Sequence, residues 1–281
     1  MKKILLVVLV LLSVMSFAAE KVYLINLDKN LSIEDMVYDQ QNLYYLSFDP
    51  STVLTEVVVF DYNEKIFTTR AVYKEENYSN RIFVSDKYGN PRMQNFYGGQ
   101  SNAGIFVDSK NIYVGISKDF YVFDKNLKLK AIFEDQKTLF LRVKSINGKI
   151  YVVQDTVISN YENNNLVPLY TDIPEVDLFS DIFIIDETVF IVGKKFGDKQ
   201  NSIFKSNGNK FSKVFTPNDD YGVIRADFYN DSIILQGNKL IKLSRDFIEI
   251  NNCENPNVQY YMPSENFYVE NINNVFYKVP W

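Results

Sequence analysis

One short pattern recurs along nearly the whole chain: a turn residue followed by three or four alternating β-branched and aromatic residues. Its copies read Asn42-LYYL, Asn80-RIFV, Asn111-IYVG, Gly148-KIYV, Glu187-TVFI, Asp231-SIIL and Asn266-FYVE. The anchors lie 38, 31, 37, 39, 44 and 35 residues apart. A period of this size belongs to arrays of one supersecondary unit, in which each unit buries its apolar face against the next.

Within a repeat the pattern reads as short strands. Around Asn111 these are Gly104-IFVD, Asn111-IYVGI, Asp119-FYVFD and Leu129-KAIFE, divided by turns. Hairpin signals stand at Asp124-Lys125-Asn126, Asn160-YENN, Ser206-Asn207-Gly208-Asn209 and Ser244-Arg245-Asp246. A helix needs apolar residues at i, i+3 and i+4 sustained over several turns, and only the first residues of the chain offer that. Aromatic side chains make up 15% of the chain, which suits half-buried pleated strands.

Four strands per repeat of about 37 residues describe a β-propeller blade. Radial closure removes the long exposed edges that an open sheet of this length would carry. The last repeat supplies three strands, Val258-QYYM, Asn266-FYVE and Val275-FYKV, and Lys21-VYLINL supplies a fourth. The expected fold is therefore all-β, a propeller whose ring is closed by the N-terminal strand joining the C-terminal blade. Seven anchors give seven blades. The repeat at Asn80 is compressed, with only Arg81-IFVSD and Arg92-MQNFYG clear, which keeps six blades as the alternative.

The stretch Arg81-IFVSDKYGNPRMQNFYGG-Gln100, followed by Ala103-GIFVDSKNIYVG, resembles the NHL-type propeller repeat. That repeat runs strand, glycine-containing turn, strand, and then G-I-x-V-D-x-x-x-N-I-Y-V. The resemblance implies a shape that enzymes, receptors and scaffolds share, so function has to be argued from the site.

The chain opens Met1-Lys2-Lys3, runs apolar from Ile4 to Leu12, and reaches Ser16, Ala18 and Glu20. A basic start, a short apolar run and small residues before a polar one make a secretory signal. Residues 1–18 are expected to be a signal peptide and 19–281 a single propeller domain, periplasmic or secreted. An uncleaved anchor is the competing reading. No later stretch is apolar enough to span a bilayer, so no integral span is expected after cleavage.

The chain carries 30 basic and 35 acidic residues; without Lys2 and Lys3 the balance is 28 against 35, a net charge of −7. A nucleic-acid partner needs a basic footprint, and this chain lacks one. Histidine is absent, so Ser-His-Asp and Cys-His catalysis and the usual zinc sites cannot be built. Cys253 is the only cysteine, which rules out an internal disulfide, and Asn251-Asn252-Cys253-Glu254-Asn255-Pro256 reads as a loop. No catalytic residues are assigned.

Counting six places back from each anchor gives Met36, Lys74, Ile105, Arg142, Asp181, Arg225 and Tyr260 on the innermost strands. Two residues on, the same side carries Lys144, Phe183, Asp227 and Met262, with apolar Val143, Ile182 and Ala226 between. Charges on inner strands must be paired or face a wet channel. Arg142 and Arg225 are candidates to clamp a carboxylate or phosphate, with Asp181 and Asp227 holding the guanidinium planes and Tyr260 beside them. The competing reading is an Arg–Asp network that stitches blade to blade.

The loops leading from one repeat to the next are acidic at Glu75-Glu76, Glu134-Asp135, Asp172 to Glu175, Asp219-Asp220 and Glu254, whereas the outer hairpins carry Lys125, Lys128, Lys130, Lys205, Lys210 and Arg245. Together these features point to a non-catalytic extracytoplasmic binding or scaffold module of the cell envelope, using the propeller face and channel for a protein or a small anionic ligand. The alternative is a cation-dependent hydrolase or lactonase, and a carbohydrate-binding propeller is a third reading. No cofactor is expected, calcium being the one ion that the oxygen donors suit.

Overall fold

The structure is a computed structural model and describes residues 22–26, 31–39, 41–49, 54–61, 66–74, 83–85, 91–93, 103–116, 119–134, 139–208, 210–217, 225–237, 239–253, 258–262, 267–272 and 275–280. The expected signal peptide and Trp281 lie outside these residues, as do Glu75, Glu76, Asp135, residues 218–220 and Glu254. All of the regular structure described is β-strand. No helix among the described residues is long and apolar enough to cross a membrane.

Two compact units divide the chain: Asn30–Pro256, and the two ends, Met1–Lys29 with Asn257–Trp281. The end unit begins with β1 (Val22–Asn26). In the larger unit, β2 (Ser32–Tyr38), β3 (Asn42–Asp49), β4 (Leu54–Asp61) and β5 (Ile66–Lys74) form the first blade. A two-stranded sheet follows, β6 (Phe83–Ser85) with β7 (Pro91–Met93). The second blade is β8 (Ala103–Val107), β9 (Asn111–Ile116), β10 (Asp119–Asp124) and β11 (Leu129–Phe133). The third is β12 (Phe140–Ile146), β13 (Lys149–Gln154), β14 (Ile158–Glu162) and β15 (Asn165–Tyr170). The fourth is β16 (Leu178–Ile185), β17 (Thr188–Lys194), β18 (Ser202–Asn207) and β19 (Lys210–Phe215). The fifth is β20 (Arg225–Tyr229), β21 (Ser232–Gln236), β22 (Leu240–Leu243) and β23 (Glu249–Cys253). Each blade is an antiparallel meander in chain order.

In the end unit, β24 (Val258–Met262), β25 (Phe267–Ile272) and β26 (Val275–Pro280) pair in sequence, and β1 adds to β26 with Val22 opposite Lys278. The expectation that the two chain ends share one sheet is met. Cys253 is the last residue of β23, opposite Leu240, rather than part of a loop.

The blades pack face to face, with apolar side chains of successive blades interleaved. Tyr44, Leu46 and Val57 of the first meet Ile105, Val114 and Phe123 of the second. Phe120 and Val122 of the second meet Val143 and Val152 of the third. Val153 and Ile158 of the third meet Ile182 and Phe204 of the fourth, and Phe183 and Val192 of the fourth meet Ala226 and Leu235 of the fifth.

Of the seven expected blades, five are present among the described residues as four-stranded sheets of Asn30–Pro256. The blades begun by the first and third anchors are in direct contact, through a shared core and a hydrogen bond from the Ile105 amide to Asp35. Among its described residues, the Asn80 segment contributes only β6 and β7. Residues 75–82, 86–90 and 94–102 around them lie outside the described residues.

Two kinds of hairpin join first strands to second. In the third, fourth and fifth blades the turn has two residues, Asn147-Gly148, Asp186-Glu187 and Asn230-Asp231, all at positive φ. Such turns match the twist of the strands, and Asn, Asp and Gly tolerate that backbone. In the first and second blades four residues intervene, between Tyr38 and Leu43 and between Val107 and Ile112. There Asp39 accepts from the amides of Gln41 and Asn42 and from the Tyr44 hydroxyl. Asp108 repeats the arrangement with Lys110, Asn111 and Tyr113.

Candidate functional site

Charged side chains meet where the innermost strands of the five blades converge. A bulge precedes three of them: the pairing of β2 with β3, β12 with β13 and β16 with β17 slips by one residue just before Asp35, Arg142 and Asp181. The extra residue re-aims the next side chain, as bulges do at sheet edges.

Asp35 and Asp181 play the same part in different blades. Asp35 accepts from the Met36 amide at 2.9 Å with Oδ1 and from the Ile105 amide of the next blade at 3.0 Å with Oδ2. Asp181 accepts from the Ile182 amide at 2.8 Å and from the Ala226 amide of the next blade at 2.8 Å. Both carboxylates are buried, 2% and 0% exposed, and each fastens its own inner strand to the following one.

The cations complete the cluster. Arg142 Nη1 lies 3.7 Å from Asp35 Oδ2, and its Nε lies 3.8 Å from Asp181 Oδ2. Arg225 Nη2 lies 2.7 Å from Asp35 Oδ1, joining the fifth blade to the first. Lys144 Nζ sits 3.2 Å from Asp181 Oδ1 and 2.8 Å from Asp227 Oδ1, and donates to the Ala226 carbonyl at 2.7 Å. Three carboxylates thus face three cations, and the formal charges cancel. Burial raises the Asp227 carboxyl, but Lys144 foremost, with Arg142 and Arg225, outweighs that and holds it below the usual carboxylate range.

Gly104 occupies the corresponding place in the second blade. A Cβ there would stand 2.8 Å from Arg142 Cα and 2.9 Å from the Val143 nitrogen. Only glycine allows the second and third inner strands to approach this closely. It also adds no side chain between Arg142 and Asp35.

The structure brings Arg142, Asp181, Arg225 and Asp227 together, as the count from the anchors expected. It changes the partners: Asp227 pairs with Lys144, and both arginines share Asp35. Tyr260 lies on β24 in the end unit, opposite Val269, and its side chain is outside the described residues. Asp35 was missed because the count landed on Met36, and Gly104 because it landed on Ile105. The four-residue hairpins of those two blades shift the register by one. The signal that marks them is Asp-x-x-Asn-aliphatic-Tyr, at Asp39 to Tyr44 and at Asp108 to Tyr113.

Away from the axis, two outer hairpins reach back to the preceding blade. Lys125 contacts Asp39 at 3.5 Å and the Tyr44 hydroxyl at 3.1 Å, with its ammonium over the Tyr44 ring. Arg245 bridges Asp186 of the fourth blade and Asp231 of its own, stacked over Phe228. Leu127 and Phe247, both at positive φ, tuck in behind these cations, Leu127 in the core shared with Tyr44 and Phe247 against Phe190 and Phe215. No group of three metal-ligating side chains converges among the described residues.

Four-stranded blades whose first strands converge on a common set of ion pairs define a β-propeller, and five such blades are present in Asn30–Pro256. No protein-family model and no curated protein matches the chain in sequence. Solved structures do resemble it. A calcium-binding protein, regucalcin from Agrobacterium tumefaciens, superposes with a TM-score of 0.54 at 10% identity, covering 90% of this chain and 92% of that one. The nidogen/laminin complex gives 0.52 at 10% identity, over 80% and 81%. The extracellular domain of BT4673 from B. thetaiotaomicron gives 0.53 at 10% identity, over 89% of this chain and 32% of that one. At these identities the likeness is one of fold.

Proposed function

We propose that this chain is a non-catalytic binding or scaffold module of the cell envelope, acting outside the cytoplasm, that recognises a protein through its loop faces. One observation carries the proposal: the charged side chains at the convergence of the inner strands are paired with one another. An anion clamp needs guanidinium groups whose partners leave with the solvent, whereas Arg225 already meets a buried carboxylate of the chain itself. The nidogen/laminin and extracellular-domain structures are in keeping with a protein partner and an extracytoplasmic place.

The test is Arg225→Lys in the full chain. Lysine keeps the charge but loses the planar fork that binds a carboxylate or phosphate at two points. Proteins that co-purify from the native envelope are expected to be retained by Arg225→Lys as by the wild type. If the variant stays folded and loses a co-purifying small anion, the clamp reading replaces this one.

A further inference from the structure

The fourth strand of every four-stranded sheet contains one residue more than its partner can match. In the five blades the extra residues are Val72, Lys130, Leu169, Val214 and Ile250, and in the end sheet β1 adds Leu24. The middle strand pairs of the same six sheets run without any slip in register.

Packing does not explain the extra residues whose side chains are described. Leu169, Val214 and Ile250 are aliphatic yet 45%, 37% and 57% exposed, so their burial offsets little of the lost ladder geometry. Five separate hairpins and one pairing between chain ends arrive at the same slip, although their turns differ in length. What these strands share is position: each ends its sheet. An end strand presents unpaired amides and carbonyls that can template a strand of another chain, and a bulge breaks that row and twists it away. The hazard is real here, since segments such as Phe211 to Phe215 combine aromatic and β-branched residues without proline.

We infer that the repeated outer bulges are this chain's device against strand addition, and that its rim is closed to any partner that docks by extending a sheet. Recognition is then left to the loops at the two ends of the blades.

The experiment deletes Val214 from the full chain, and separately Leu169. Deleting Val214 lets Lys213 and Phe215 pair in succession with Phe204 and Ile203. Lys213 stays over the Phe204 ring and Phe215 stays in the core with Ile203, so no side chain changes face. Val214→Lys and Leu169→Lys keep the bulge and serve as controls.

A folded deletion variant is expected to lose its monomer peak in size-exclusion chromatography as concentration rises, with an infrared band of intermolecular sheet. The lysine controls are expected to elute with the wild type. A folded deletion variant that stays monomeric at every concentration overturns the inference, as does a wild type that already associates through its rim. If neither deletion folds, the bulges are needed to build the blade itself and the inference also fails.

Discussion

Lys125, in the outer hairpin of the second blade, stands 3.5 Å from Asp39, in the inner hairpin of the first. The pair spans two hairpins that the sequence places on either side of the Asn80 repeat, and so bears on how the blades follow one another. Both side chains are 32% exposed, so Lys125→Ala should lower stability by only about 0.5 kcal/mol. Leu127 beside it is buried, and Leu127→Ala should cost about 3 kcal/mol through the cavity it leaves. Thermal unfolding of the two variants checks the contrast.

Gly104→Ala forces a methyl group against the Arg142 backbone. The contact is with main chain, which cannot swing aside, and overpacking of this kind costs about 1–3 kcal/mol. The melting temperature should fall by several degrees, and a double variant with Arg142→Ala should not recover it, because the clash is with Cα and the next nitrogen.

Acid should weaken the first two blades at the hairpins built by Asp39 and Asp108. Burial raises the carboxyls of Asp39 and Asp108, but the tyrosine hydroxyls and turn amides hold both below their ordinary value. A carboxyl lowered in the folded state adds stability above its unfolded pKa, and that stability fades as pH falls through the folded one. Asp108→Asn should flatten the loss of stability below about pH 4. At the alkaline end, burial foremost, with Asp108, pushes the Tyr113 hydroxyl up to about 12, and the Asn111 side chain opposes them. Its contribution is complete below the unfolded value near 10 and is lost as pH rises towards the folded one. Tyr113→Phe should remove that alkaline dependence.

Calcium separates the scaffold from the hydrolase. The scaffold reading predicts no response to calcium, whereas the hydrolase reading needs oxygen donors converging at the loops. Adding calcium or a chelator should leave the melting temperature of the full chain unchanged. A rise with calcium would favour an oxygen-liganded ion at the loops.

The anchors made the blades legible because each strand keeps its alternation regardless of its neighbours, so the period survives in the sequence. The number of blades was less legible, because the repeat at Asn80 is compressed and shows only two clear strand segments. The inner charges were found at Arg142, Asp181 and Arg225 because their hairpins all have two residues. Asp35 and Gly104 were missed by one residue each, since Asp39 and Asp108 build a longer turn. The outer bulges went unread, because the one-residue shift they impose on the alternation falls in strands such as β15 and β19 that are mostly exposed, where the apolar pattern is faint.

The axial network is tested most directly by a double-mutant cycle on Asp35 and Arg225, read as unfolding free energy in denaturant. Each single change to alanine removes one half of a largely buried pair and should cost about 3 kcal/mol. The double change should cost less than the sum by about 1–3 kcal/mol, as for residues in one network. Strict additivity, or an Arg225→Ala protein as stable as the wild type, would contradict a structural role for these charges.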